Sequence, residues 1–289
     1  MRNTSLSKDQ AARRAKRNAA ALRAAVYTGA GICVAVLAGI LVYILVKGVP
    51  NLTPELFSLQ YTSENASVVP ALLNTLVIVA LSLAIAVPLG IFSAIYLVEY
   101  AKKGNRFVKV VRITAETLAG IPSIVYGLFG YLLFVTTLGF GYSLLAGALT
   151  LSIMILPVIL RTTEEALQSV PDLYREGSFG LGAGKLRTVF RIVLPSAAPG
   201  ILAGVILAVG RLVGETAALI FTAGTVAQTP DSLLGSGRTL AVHLYALWNE
   251  GLATEKAYAT AVILLVLVAG INTLSSVIAS KWTKGNKNG

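Results

Sequence analysis

Long uncharged stretches restrict the fold of this chain more than any other feature. Residues 24–46, 67–98, 117–160 and 257–280 contain no Asp, Glu, Lys, Arg or His. A membrane-spanning helix needs about 20 apolar residues, so three of these stretches predict one helix each. Residues 117–160 are long enough for two helices with a break at 138–142, and 196–223 predicts a sixth. We therefore expect an all-α integral membrane protein with six transmembrane helices.

The distribution of basic residues predicts how these helices are oriented. The chain has a net charge of +11, and 20 of its 24 Lys and Arg residues lie in residues 1–23, 101–112, 161–195 and 281–289. Six crossings place all four segments on one side of the membrane, and cytoplasmic loops carry the excess of Lys and Arg. We therefore expect both termini and the 161–195 loop to be cytoplasmic. The basic charge then reflects topology, and no nucleic-acid partner is expected.

The composition also argues against other classes of site. The first apolar stretch is longer than the 7–15 residues of a signal-peptide core, so we expect it to remain as an anchor in membrane lipid. The single cysteine, Cys33, lies inside this stretch, and His243 is the single histidine. The sequence therefore predicts no disulfide framework, no metal site and no histidine-based catalytic cluster.

The predicted helices divide the chain into three parts. Residues 1–66 comprise a basic cytoplasmic tail, the first helix and an external loop. Residues 67–282 form a five-helix core that includes the 161–195 loop, and residues 283–289 form a second cytoplasmic tail. Within the core, small residues recur at helical spacing, as in Gly200-xxx-Gly204 and Gly210-xxx-Gly214. Such spacing favours close packing of membrane helices.

The 161–195 loop is a long polar segment between two apolar stretches, with four acidic and five basic residues. Asp172 is predicted to be the N-cap of a short helix, because aspartate is among the preferred capping residues. Glycines between 177 and 184 are expected to end this helix. A second short helix at 185–193 is expected to end at Leu194 and Pro195. Such a loop in a membrane protein predicts docking of a soluble partner.

The spacing within the loop resembles the EAA signature of permease subunits of bacterial ABC importers. It reads Glu176-Gly-Ser, three residues, Gly182, nine residues and Ile-Val-Leu-Pro195, with Gly177 and Ser178 in place of the two alanines. The resemblance implies a type I ABC importer permease fold, in which this loop docks on a cytoplasmic ATPase. The alternative is an ordinary amphipathic loop. The residues implied in coupling to the ATPase are Glu176, Gly177, Ser178, Gly182, Leu194 and Pro195.

A glycine-rich run in the same loop looks like a phosphate-binding P-loop but lacks its essential residues. The motif requires Gly at the position of Phe179 and Ser or Thr at the position of Leu186. We therefore expect this chain to bind no cofactor. ATP and Mg are expected on a separate partner ATPase.

Two charged residues interrupt the predicted fifth helix. Arg211 and Glu215 are four residues apart, which predicts that they share one face and can form an ion pair. A charge in a membrane helix normally faces a bundle interior or a cavity. One interpretation is a self-neutralising pair that packs between helices. The other is a guanidinium that meets an oxyanion in the translocation path, with Glu215 holding it in place.

Three segments narrow the resemblance within this family. Residues 118–129, 160–165 and 210–216 resemble PstA, the A-type permease of the bacterial phosphate importer, and the resemblance covers most of 69–281. It implies phosphate transport across the inner membrane. The implied partners are a C-type permease (PstC), two copies of an ATPase (PstB) and an external phosphate-binding protein (PstS). The family's transport-critical basic residues match Arg211 and Arg161, and for Arg161 a role in topology alone is an equal alternative.

Three rival functions remain at this stage. The nearest is a permease for another oxyanion, such as sulfate or molybdate, or for a different small solute. An intramembrane enzyme would need paired catalytic groups, which the apolar stretches do not supply. A passive channel would not need the docking loop.

Overall fold

The computed structural model describes the backbone of residues 3–285 except 103 and 252, and the side chains of 16–277 except 17, 103 and 252. The described residues are helical without a β-strand, which confirms the all-α class. The predicted N-terminal tail before residue 16 lies outside the described side chains. The last four residues of the predicted tail 283–289 lie outside the described residues altogether. The helices are α1 (Asn3–Gly48), α2 (Val69–Ile95), α3 (Arg106–Ala119), α4 (Ser123–Gly130), α5 (Leu144–Gln168), α6 (Asp172–Gly180), α7 (Lys185–Thr188), α8 (Leu194–Val213), α9 (Ala217–Thr222), α10 (Leu240–Glu250) and α11 (Thr254–Gly285).

Three wider π-helical segments extend these helices without interrupting them. Tyr96–Tyr100 continues α2, Tyr131–Thr137 continues α4, and Val189–Val193 joins α7 to α8. Among the described residues, five helical segments are long and apolar enough to span a membrane: Asn18–Asn51, Val69–Tyr100, Leu144–Gln168, Lys185–Val213 and Thr254–Val277. A sixth span is possible if the bent pair Arg106–Ala119 and Ser123–Thr137 is counted as one. Six apolar crossings are thus met only when this broken element is included.

The third predicted helix differs most from expectation. The chain bends by 103° between α3 and α4, so α3 runs in a different direction from α4 and its extension. Gly120 ends α3, and Pro122 disfavours helical backbone at Ile121, which explains the bend. Residues 106–112, expected to be a loop, belong to α3. The Asn105 side chain caps this helix by accepting a hydrogen bond from the Phe107 N–H. The break expected at 138–142 is confirmed, with Gly139 in a left-handed conformation.

The core is built around α5, which packs against α2 on one side and α8 on the other. Side chains such as Ile78, Leu151, Ile155 and Leu212 are almost fully buried there. Outward faces carry apolar side chains instead, and Leu37 in α1 and Val266 in α11 are both more than half exposed. A surface of this kind is stable in lipid but not in water, which fits the predicted membrane location.

Glycines permit close approach where the broken helices meet the core. A Cβ on Gly127 of α4 would lie 2.8 Å from Ala218 of α9, and one on Gly204 of α8 would overlap the Thr162 hydroxyl of α5. These positions fit the packing role predicted from small-residue spacing. Gly210 does not have this packing role. A Cβ at Gly210 would lie 3.5 Å from its nearest neighbour, the Asn272 side chain, which is an ordinary contact distance.

Candidate coupling loop and translocation path

The polar loop folds as predicted into a short helix followed by a glycine turn, but its first residue differs. Helix α6 has Pro171 at the capping position and Asp172 as its first helical residue, without a side-chain capping bond. The prediction of Asp172 as N-cap was therefore wrong by one residue. The Asp172 carboxylate instead lies in the first turn, where the helix dipole favours an anion, and pairs with Arg175 at 3.2 Å.

Gly182 provides the turn that ends α6. It has φ of +81°, a left-handed conformation that residues with a side chain adopt only with strain. The Gly182 N–H donates to Phe179 O at 2.9 Å, and the Ala183 N–H donates to Ser178 O at 3.1 Å. These two bonds form a Schellman cap, which satisfies carbonyls left free at the helix end. Gly182 is thus required by backbone geometry rather than by lack of space.

The helix that follows does not stop at Leu194 and Pro195 as predicted. The chain from Lys185 to Val213 is one continuous span of 29 residues. Proline is accommodated because the segment before it is wider, and the Leu194 N–H donates five residues back, to Val189 O. Leu194 and Pro195 therefore lie inside a helix that carries the loop directly into the membrane.

Arg175 fixes α6 to the core, a role that is not predicted from the sequence. Its guanidinium contacts Glu99 Oε1 through Nε at 3.1 Å and Nη2 at 2.7 Å. It also donates to Val170 O at 2.8 Å and to Leu167 O at 2.9 Å. The Arg175 and Glu99 side chains are 15% and 8% exposed. The available signal was Glu99 itself, an acidic residue directly after the uncharged stretch 67–98.

Two further contacts hold the loop together. The Ser178 and Thr188 hydroxyls are hydrogen-bonded at 2.8 Å and buried, which joins α6 to α7. The Lys185 ammonium lies 5.1 Å from the centre of the Tyr100 ring, in the π-helical extension of α2. The small residue at 178 in the signature is therefore an inward-facing contact, whereas Glu176 and Gly177 are exposed.

The outward face of the loop is apolar as well as charged. Leu173 is 75% exposed, Leu181 is 91% exposed and Leu186 is 65% exposed. Large apolar side chains projecting from a polar loop are typical of a protein-binding surface. We call Leu173, Glu176, Leu181 and Leu186 the docking face.

Arg211 and Glu215 do not form the predicted ion pair. Helix α8 ends at Val213, and Glu215 lies beyond the break, where its Oε1 accepts a hydrogen bond from the Ala218 N–H at 3.1 Å. Glu215 is 9% exposed and stabilises the start of α9, whereas Arg211 is exposed and makes no hydrogen bond or ion pair with any described residue. The prediction failed because four-residue spacing defines one face only while the helix continues.

The break between α8 and α9 lies within the helical bundle. Helix α9 packs on α4 through Gly127 and on α5 through Gly147, so the chain after the break is surrounded by core helices. Irregular backbone at membrane depth is tolerated only where protein buries it or water reaches it. Gly214 in the break and Arg211 beside it are both exposed in the single chain. We therefore expect this face to meet a partner subunit or an aqueous path rather than lipid.

Arg161 lies on α5 and pairs with Glu165 at 3.0 Å, and both side chains are more than half exposed. It borders an open cleft of about 270 Å³ with Arg112, Glu116 and Glu164. Its neighbour Thr162 packs on Gly204 of α8, seven residues before Arg211. Seven helical residues correspond to about 10 Å, so the two arginines lie at different heights along the bundle.

Comparison with known proteins identifies the family. The sequence matches the family described as binding-protein-dependent transport system inner membrane component over residues 86–284. It is 34% identical to the probable ABC transporter permease protein YqgI of Bacillus subtilis, with 87% of this chain and 91% of that protein covered. It is 41% identical to the phosphate transport system permease protein PstA 1 of Mycobacterium tuberculosis, with 72% and 69% covered.

The fold comparison agrees with the family match. A solved bacterial alginate ABC transporter in complex with an alginate-bound periplasmic protein contains a chain that superposes with a TM-score of 0.61. That match has 16% sequence identity and covers 88% of this chain and 95% of the other. The architecture is thus the type I importer permease fold expected from the loop signature, and ABC permeases of this kind work with an ATPase and a substrate-binding protein. The chain belongs to the family of binding-protein-dependent transport system inner membrane components, as a membrane subunit of an ABC importer.

Proposed function

We propose that this chain is the PstA-type permease subunit of an ATP-driven importer of inorganic phosphate in a bacterial inner membrane. Its partners would be a PstC-type permease, two PstB-type ATPase subunits that bind ATP and Mg, and an external PstS-type phosphate-binding protein. Both termini and the docking face lie in the cytoplasm. Support for phosphate comes from several PstA relatives at 37–42% identity.

The observation that carries the proposal is the unpaired Arg211 at a helix break. A guanidinium without a counter-charge is costly in lipid, by at least about 2.5–3.5 kcal/mol on insertion scales. The face that carries it must therefore line a solvated path or a subunit interface. Arginine suits a tetrahedral oxyanion because its planar fork makes two parallel hydrogen bonds with one anion.

Glu215 contributes to the path by holding its shape. Its carboxylate accepts a hydrogen bond from the Ala218 N–H at the start of α9 and forms no ion pair with Arg211. Arg161 adds a second cation nearer the coupling loop. A passing anion would meet the unpaired Arg211 and, at a different height, Arg161, which is already paired with Glu165 and so would not retain it.

Energy reaches this path through the coupling loop. The ATPase would bind the docking face, and Gly182 would keep α6 at a fixed angle to the helix that starts at Lys185. Because that helix runs without interruption to Val213, displacement of the loop is transmitted to the break beside Arg211. Transport then requires that the ATPase favour different positions of this helix in its different nucleotide states.

The test is uptake of labelled phosphate by the assembled transporter in liposomes with the binding protein and ATP. We expect uptake that resists unlabelled sulfate and molybdate. Arg211→Ala should abolish uptake without loss of assembly, whereas Lys47→Ala, which removes an equal charge at the end of α1, should retain it. If unlabelled sulfate competed with labelled phosphate, the transporter would be assigned to a different oxyanion. Normal uptake in Arg211→Ala would remove Arg211 from the path.

A further inference from the structure

An open cleft lies between α3 and α6, the short helix of the coupling loop. Its volume is about 660 Å³, within the range of about 300–1,000 Å³ that ligand-binding pockets span. Its walls come from the π-helical extension of α2, from α3, from the end of α5 and from α6. The cleft therefore has room for a ligand at the point where the coupling loop meets the spanning helices.

Several charged groups at this cleft already have a partner. Arg175 is paired with Glu99 and with Asp172. Arg112 is paired with Glu164 of α5 at 2.9 Å. Charges that are satisfied in this way attract a ligand only weakly, so the chemistry of the cleft depends on the charges that remain.

Two lysines, Lys102 and Lys109, line the cleft without such a partner. Both are exposed, and neither ammonium group makes an ion pair or a hydrogen bond with any described residue. The backbone holds them close to each other. The Asn105 N–H donates to Lys102 O at 3.1 Å, and the Lys109 N–H donates to Asn105 O at 3.2 Å. This end of the cleft therefore presents two free cations to an anion.

The acidic residue Glu116 lies at the other end of the cleft. It follows Lys109 by seven helical residues, or about 10 Å along α3. Glu116 also borders the neighbouring cleft on α5, where its charge acts on Arg161. Its charge is thus shared with a cation outside this cleft and does not cancel the attraction of the two lysines for an anion.

The outward face of α3 is apolar and continuous with the cleft. Phe107, Val110 and Ile113 recur at every third residue, and each is more than half exposed. Val108, on the opposite face, is buried against Leu160 of α5. Ile113 also lines the cleft, so one ligand could contact both the lysines and this apolar face. Basic helices with an apolar face lie in the membrane interface, with that face against the acyl chains.

The direction of α3 agrees with such a position. The bend of 103° sets it nearly perpendicular to α4 and its extension, which together form the apolar part of this broken span. A helix perpendicular to a spanning segment runs along the membrane surface. The lysines at its start then lie at the depth of the lipid headgroups.

We propose that this cleft binds an anionic phospholipid of the cytoplasmic leaflet. The ammonium groups of Lys102 and Lys109 would hold the lipid phosphate, and the acyl chains would lie over Val110 and Ile113. Basic pockets between spanning helices on the cytoplasmic side bind lipid headgroups in other membrane proteins. The choice of leaflet rests on the proposed orientation of the subunit, whereas lipid binding does not depend on which anion is transported.

A lipid in this cleft would contact the coupling loop. Asp172 and Arg175 of α6 line the same cleft, so the headgroup would lie between α3 and the ion pairs that hold α6. The composition of the membrane would then influence how firmly the coupling loop is fixed to the core.

The test measures the lipid that the assembled transporter binds in detergent, without phosphate or ATP. Phosphatidylglycerol or phosphatidylcholine is added in increasing amounts, and the bound lipids are counted by native mass spectrometry. We expect tighter binding of phosphatidylglycerol, because it is anionic. Lys102→Gln combined with Lys109→Gln should weaken that binding at least about tenfold, because basic residues near the membrane surface attract anionic lipids.

The matched control is Lys16→Gln combined with Arg23→Gln. It removes two exposed charges from α1 on the same predicted side of the membrane and should retain tight phosphatidylglycerol binding. Equal binding of the two lipids by the unmodified transporter would overturn the proposal. Equal loss in the two double variants would also overturn it, because the effect would then come from net charge.

Crosslinking locates the lipid without any variant. A phosphatidylglycerol with a photoreactive acyl chain should label α3 near Val110 and Ile113 in the assembled transporter. Labelling confined to other helices, or to a partner subunit, would overturn the proposal. Loss of the α3 label in excess inorganic phosphate would overturn it too, since the cleft would then take a free anion. These outcomes are distinct from failure of the proposed function, which would appear as absent phosphate uptake by liposomes.

Discussion

The guanidinium of Arg175 in the coupling loop and the carboxylate of Glu99 at the end of α2 form a nearly buried ion pair at 2.7 Å. Two carbonyls at the end of α5, Leu167 O and Val170 O, accept further hydrogen bonds from the same guanidinium. One side chain therefore joins the coupling helix to two spanning helices. The loop is fixed to the core as a unit and does not pivot freely about its glycines.

Removal of Arg175 should uncouple and destabilise the subunit. Arg175→Ala leaves Glu99 buried without a counter-charge, and breaking such a pair costs about 3–5 kcal/mol. We expect a lower melting temperature and loss of ATPase co-purification. Asp172→Asn is the matched control, because it removes only the exposed partner of Arg175 and should change stability by less than about 1 kcal/mol. Equal effects of the two substitutions would show that the Glu99 contact does not anchor the loop.

Gly182 and Gly177 should respond to alanine in opposite ways. Gly182→Ala forces a side chain into a left-handed conformation and costs about 1–2 kcal/mol, although open space surrounds it. Gly177→Ala lies within α6, also in open space, and should stabilise the helix by up to about 1 kcal/mol. The measurement is phosphate taken up per ATP hydrolysed, which should fall only for Gly182→Ala. A similar fall for Gly177→Ala would point to the ATPase contact rather than to the turn.

Two substitutions of Glu215 can distinguish whether its side chain acts as a hydrogen-bond acceptor at the start of α9 or through its negative charge. Glu215→Gln retains an oxygen acceptor for the Ala218 N–H and should keep most of the transport activity. Glu215→Ala removes the acceptor, which typically costs about 1 kcal/mol at a helix start, and should loosen the break beside Arg211. The uptake rates of both variants provide the comparison. If Glu215→Gln were as inactive as Glu215→Ala, the negative charge itself would be needed.

The sequence predicts the membrane class and the coupling loop because both depend on local patterns. A long uncharged stretch indicates a membrane span whatever lies around it. Gly182 is needed for a turn that is defined by the residues next to it in the chain. The failures depend on contacts between distant segments. Spacing predicts that Glu215 and Arg211 share one helix face, but the helix ends at Gly214 between them, and α9 is held in place by packing on α4 and α5. The Arg175 anchor joins residues 76 positions apart, so the position of Glu99 in the sequence does not indicate which residue pairs with it.

The stability of the folded protein should decline in acid because of His243. Its pKa is lowered from 6.5 to about 3, first by burial and then by the charge of Arg238, and only the bond to Ala66 opposes this shift. As the pH falls from 6.5 towards 3, the unfolded chain gains a proton that the folded chain does not accept. This group alone should therefore shift the unfolding equilibrium about tenfold per pH unit in that window, and not at all above it.

His243→Gln tests this prediction, because glutamine can still donate to Ala66 O but does not titrate. The melting temperature of the assembled transporter is measured across the same pH range without phosphate. We expect a shallower loss of stability in the variant, with the difference growing as the pH falls. Parallel curves would show that His243 is protonated in the folded protein, which would place a second positive charge beside Arg238.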